Sequence, residues 1–113
     1  MKSLEQMQDE VYKVNIENGW FDDNRSFGDD IALLHSEVSE AFEAYRDYGF
    51  DDPTPINPPN GLSKPEGVGS ELADILIRLL DTAQRTGVEL EVEFDRKMAY
   101  NAIRGYRHGG KRV

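Results

Sequence analysis

Apolar residues recur at helical spacing through four stretches of this chain, and nowhere at the alternation of a strand. Leu4, Met7, Val11 and Val14 step by three, four and three, which puts them on one face of a helix. Ser3 is placed to cap its start and Asn18-Gly19 to stop it, so the first helix is expected over about residues 4 to 18. A second stripe, Ile31, Leu34, Val38, Ala41, Phe42 and Tyr45, predicts a helix from near Gly28-Asp29-Asp30, whose acids suit a helix N-terminus, to Tyr48-Gly49. A third run goes from Gly69-Ser70, with Ser70 as cap, to Arg85, and stops at Gly87. Its apolar residues Leu72, Ala73, Ile75, Leu76, Ile77, Leu79, Leu80 and Ala83 cover about 200° of the wheel, against the ~100° stripe of an ordinary surface helix. So wide an arc asks for two partners, the chain's own core and a second copy of the chain. The fourth helix is expected from about Glu89 to Tyr106, with Phe94, Met98, Ala99, Ala102, Ile103 and Tyr106 inward. The class that follows is all-α, a four-helix bundle in one domain over residues 1–113, a length sufficient for one core and short of two.

The connections differ in kind. Trp20-Phe21 precedes the polar run Asp22 to Ser26, and two large aromatics there either plug the end of the bundle or flank a nucleobase, since stacking tolerates any base. Residues 50 to 68 hold all five prolines, so no helix crosses them, and the loop that results joins helices 2 and 3 as a candidate lid. His35, at the margin of the second apolar stripe, is expected to be packed and hydrogen-bonded.

The polar positions change the picture most. Leu33, Glu37, Glu40 and Ala44 share one flank of helix 2, and the small residues Ala41 and Ala44 one turn beyond each acid keep that side open. Glu71-Leu72-Ala73-Asp74 repeats the i, i+3 acid pair on helix 3. Facing helices would gather four carboxylates. Two unit charges 4 Å apart repel by ~4 kcal/mol at an effective dielectric near 20, so such a cluster calls for cations, and Mg²⁺, hard and able to bridge carboxylates to phosphates, is the natural guest, with Mn²⁺ as a substitute. Each pair alone also fits a solvated face, and Glu71, Asp74, Arg78, Asp81 and Arg85 alternate in sign as an exposed ion-pair lattice would. Di-iron sites of helical bundles want Glu-x-x-His, zinc wants His or Cys, and no P-loop or dinucleotide glycine pattern is present.

The formal charge is −9 and is unevenly spread, because six Lys or Arg and no acid lie from Arg96 onward. An acidic body disfavours a nucleic-acid polymer as partner, while a small polyphosphate is acceptable once divalent metal has neutralised the acids. With no cysteine there is neither a disulfide nor a thiolate nucleophile, and with no apolar stretch of membrane length a cytoplasmic protein away from the membrane is expected.

Glu37-Val38-Ser39-Glu40, Lys64-Pro65-Glu66-Gly67 leading into Glu71-Leu72-Ala73-Asp74, Lys97 to Asn101, and the ending Tyr106 to Arg112 together resemble the MazG-like all-α nucleoside triphosphate pyrophosphohydrolases, from about Trp20 to the C-terminus. The resemblance implies a homodimer or homotetramer of four-helix units and cleavage of a (d)NTP between its α and β phosphates to (d)NMP and pyrophosphate. It implies Mg²⁺ on Glu37, Glu40, Glu71 and Asp74. Glu37 would orient or deprotonate the attacking water. Lys97 would act in catalysis and, with Asn101, in substrate binding, joined by Arg104, Arg107 and Lys111, and by Trp20 at the base. Ser36 stands where some relatives carry a further acid, which leaves the number of metals open. A dUTPase-like or phosphoribosyl-ATP-type substrate within the same superfamily, or a helical oligomeric binding module without catalysis, are the alternatives.

Overall fold

The computed structural model describes residues 1–19, 24–56 and 63–104; Trp20, Arg107, His108 and Lys111 lie outside them. Four helices and no strands occur among these residues: α1 (Leu4–Glu17), α2 (Phe27–Tyr48), α3 (Val68–Thr86) and α4 (Leu90–Ile103). No helix among them is long and apolar enough to cross a membrane.

Local chemistry sets the ends. Ser3 caps α1 reciprocally with Gln6, the hydroxyl accepting from the Gln6 N–H at 3.1 Å and the Gln6 side chain accepting from the Ser3 N–H at 2.8 Å. Ser26 and Asp29 build the same box on α2, at 3.1 and 3.0 Å, so this helix starts ahead of Gly28 and its first acid is a cap partner as well as a dipole match. On α3 the expected cap is displaced. Gly67, at φ +100°, takes the N-cap position without a side-chain bond, and Ser70 sits inside the first turn, donating to the Pro65 carbonyl at 3.2 Å. Gly87 closes α3 in the left-handed conformation, as a C-terminal glycine does.

The central element is α3, with α2 and α1 packed on it and α4 resting on α1. The faces in contact take in only part of the apolar stripes, with Met7, Val11, Ile31 and Leu34 half-buried. Ala44, Leu80 and Ala83 are buried, but so are Gln8, Asn15, Asp30, Asp81 and Thr82. The sign-alternating line of α3 is therefore not a solvated lattice: Asp81 is only 1% exposed. It can be buried because Asn15 Nδ2 donates to Oδ1 at 2.8 Å, Arg85 Nε donates to Oδ2 at 3.1 Å, and Arg25 Nη2 stands at ion-pair distance, 3.6 Å. Arg25 Nε is also 3.5 Å from Asp30 Oδ1, near enough for charge attraction but too far for a good hydrogen bond. Gln8 ties α1 to the α3–α4 turn, donating to Gln84 Oε1 at 3.0 Å and to the Val88 carbonyl at 3.1 Å and accepting from Leu90 N–H at 3.2 Å.

Much of the apolar surface consequently faces outward in a single chain. Val38, Phe42 and Tyr45 on α2, Leu72 and Leu76 on α3, and Phe94, Met98 and Ile103 on α4 are all exposed, Ile103 by 81%. The expected inward face of α4 is thus open, since none of its residues is buried. His35 is exposed as well, because it lies about 200° round α2 from Glu37, the side that meets α3. The radius of gyration is 17.2 Å, where a compact chain of this length would have about 13 Å.

The proline-rich connection is folded back on itself at its base. Thr54 Oγ1 accepts from the Glu66 N–H at 3.0 Å and donates to the Glu66 carbonyl at 3.4 Å, and Ser63 Oγ donates to the Pro55 carbonyl. A Cβ on Gly67 would lie 2.7 Å from the Pro53 ring, so the close approach of the two limbs requires glycine.

Candidate metal centre

The packing of α2 on α3 brings members of the two acid pairs face to face. Glu37, Glu71 and Asp74 each present a carboxylate oxygen, and these oxygens lie within 4.8 Å of one another. Leu33, Glu37 and Ala44 follow the line of α2 that packs on α3, while on α3 the i, i+3 spacing puts Glu71 and Asp74 on neighbouring turns. Arg78, one turn beyond Asp74, donates to Glu37 Oε1 at 3.2 Å and fixes the direction of that carboxylate; both side chains are 16% exposed.

Glu40 stands at the rim. It is exposed, yet its carboxyl is held above the usual carboxylate range, first by a hydrogen bond shared with Glu37 and then by the charges of Glu37, Glu71 and Asp74. Glu71 is raised too, chiefly by burial and then by Asp74 and Glu37, while the ammonium of Lys64 pulls the other way. Its Oε2 is buried without a hydrogen-bond partner. A desolvated, unpartnered carboxylate oxygen beside two more carboxylates is a donor set that suits a hard divalent cation.

A cavity of about 400 Å³ opens beside these acids, bordered by Glu40, Glu43, Ala44, Asp47, Tyr48, Glu71 and Asp74 from the helices and by residues 64–67 of the folded-back loop. The cations expected from α4 are not brought here. Lys97 and Asn101 are exposed on a helix that shares no extended contact with α2 or α3, and the Arg104 guanidinium lies 5.7 Å from the centre of the Tyr100 ring.

Two residues of the site are not marked as part of it by the sequence pattern. Arg78 is visible there only as a member of the alternating line, although its position seven residues after Glu71 gives it the same face. Lys64 lies in a stretch without periodicity, where spacing carries no information about what it faces. Comparison with models of protein families, with curated proteins and with solved structures finds no match.

Proposed function

We propose that this protein is a cytoplasmic, Mg²⁺-dependent nucleotide pyrophosphohydrolase of the MazG-like kind, converting a (d)NTP to (d)NMP and pyrophosphate as a homodimer or homotetramer. The observation that carries the reading is the convergence of Glu37, Glu71 and Asp74, with the orphaned Glu71 oxygen among them, at the edge of a cavity large enough for a nucleotide's polar end. Glu71 and Asp74 would hold the metal, with Glu37 and Glu40 completing the set. A bound Mg²⁺ would neutralise phosphate charge and lower the pKa of a water in its shell.

The chain's own groups supply the remainder. Glu37, held by Arg78, would orient the attacking water and take its proton. Ala44 and the Tyr48 ring, set among Glu40, Glu43 and Asp47, are the surfaces of α2 in the cavity that could take an uncharged part of the substrate. Oligomerisation is supported by the open apolar faces of α2, α3 and α4 and by the extended form of the single chain. A partner covering them would also be the natural source of the cations that α4 does not bring to its own acids.

Calorimetry with Mn²⁺, then with a non-hydrolysable nucleoside triphosphate, tests the reading. Metal binding that is required for nucleotide binding, and is lost in Glu71→Gln, is the expected result. A binding module whose acids are only structural would take up neither.

A further inference from the structure

The acids account for the metal side of this site but not for the phosphate side. Arg78 is engaged with Glu37, and α4 with Lys97, Asn101 and Arg104 has no extended contact with the acid-bearing helices. Lys64, by contrast, does border the cavity. It lines the cavity together with Glu40, Glu71 and Asp74, is exposed, and has no salt-bridge partner among the described residues.

Its backbone is held on both sides. Ser63 is bonded to Pro55, Pro65 accepts from Ser70 at 3.2 Å, and Glu66 is clasped by Thr54 at 3.0 Å, immediately before the buried Gly67 that anchors the limb against Pro53. A lysine on a fixed root, its ammonium attracted by Glu71 but in no ion pair, is the one cation among the described residues that line this cavity of about 400 Å³, beside Glu40, Glu43, Asp47, Glu66, Glu71 and Asp74. It is arranged to hold something anionic that those carboxylates would repel unless metal lay between. An ammonium is a compact charge with three donors and no fixed plane, which suits the several oxygens of a phosphate chain more than a single carboxylate.

We propose that Lys64 is the substrate-binding residue that engages the phosphate chain and retains its grip on the departing pyrophosphate. This rests on the pyrophosphohydrolase reading, and it gives the folded-back limb a definite purpose, to present one positive charge to the substrate in a cavity lined by acids. The clasp then matters to turnover through the position of Lys64, not through any chemistry of its own.

The test uses the full-length protein and Lys64→Ala, Lys64→Arg and Lys64→Glu. Because Lys64 is exposed, all three should melt with the parent. Wild type that releases no NMP and pyrophosphate from any (d)NTP would defeat the underlying reading. With wild type active, Lys64→Ala should lower kcat/KM by about 10 to 10²-fold, the worth of one charge-assisted hydrogen bond, with Lys64→Arg largely restored and Lys64→Glu worst. Pyrophosphate should inhibit Lys64→Ala more weakly by a similar factor, with inhibition by NMP unchanged.

A direct binding measurement makes the inference independent of turnover. In calorimetry with Mn²⁺ present, pyrophosphate should bind Lys64→Ala at least about 10-fold more weakly than wild type, while Mn²⁺ alone binds as well or better, since a nearby positive charge has gone. Equal pyrophosphate affinity in the two proteins, or no pyrophosphate binding by wild type, would overturn the role given to Lys64. So would weakened Mn²⁺ binding in Lys64→Ala, which would mean that the lysine supports the acids rather than the phosphates.

Discussion

Replacing Asp81 by alanine should be among the most damaging single changes available to this fold. Asp81 is 1% exposed and is the point where α1, α3 and the segment before α2 meet: it accepts from Asn15 at 2.8 Å, from Arg85 at 3.1 Å, and faces Arg25 at 3.6 Å. Removing one partner of a buried charge cluster costs about 3–5 kcal/mol, and stranding the amide of Asn15, itself 3% exposed, costs about 1–3 more, although the two are not additive. Water offsets part of this, because the side chains of Arg25 and Arg85 keep 17% and 13% of their exposure. A net loss of about 3 kcal/mol follows, a large share of the ~5–15 kcal/mol that folded domains possess, and a melting point lower by roughly 10 °C. Urea unfolding followed by far-UV circular dichroism measures it. Asp81→Asn, which keeps an acceptor but not the charge, should fall between. A cycle with Arg25→Met should show coupling, since the two side chains touch. If Asp81→Ala changed stability by less than about 0.5 kcal/mol, the buried polar centre described above would be wrong and the line on α3 would be the solvated lattice after all.

Gly67→Ala should break the clasp, because the added methyl meets the Pro53 ring at 2.7 Å on a backbone at φ +100°; limited proteolysis between residues 50 and 67 should become faster than in wild type, with the helices intact by circular dichroism. The metal-free protein should lose stability as pH rises through the range just above the ordinary carboxylate pKa. Glu40, raised mainly by its hydrogen bond to Glu37, and Glu71, raised mainly by burial, bind protons more tightly folded than unfolded, so the slope of stability with pH is negative there. The Glu40→Gln/Glu71→Gln double variant should flatten that slope, and the difference between the two pH profiles isolates these groups from Asp52, whose carboxyl is held low by Thr54 and acts with the opposite sign.

The helices and the pairing of acids within each helix are legible in the sequence because both depend on local rules. Ser3 and Gln6, the stops at Gly19 and Gly87, and the i, i+3 spacing of Glu71 and Asp74 act within one or two turns, where chain geometry decides the outcome. Which face of a helix meets its neighbour depends on partners far along the chain. Asp81 reads as solvated because neither Asn15 nor Arg25, its partners from distant positions, announces itself by spacing. The stripe of Val38, Phe42 and Tyr45 reads as core because apolar periodicity has the same form whether the partner is another helix of the chain or a second molecule. Ser70 has the composition of a cap, but the cap falls three residues earlier, at Gly67, and the Ser70 hydroxyl goes to the Pro65 carbonyl instead.

The proposed role of Glu37, Glu71 and Asp74 is tested most directly by product analysis of nucleoside triphosphate hydrolysis with Mg²⁺, comparing wild type with Glu37→Gln. Wild type should give stoichiometric NMP and pyrophosphate and depend on the metal, and turnover should be lower by about 10² or more in Glu37→Gln, with the fold retained. Release of inorganic phosphate in place of pyrophosphate, or a Glu37→Gln protein as active as wild type, would contradict it.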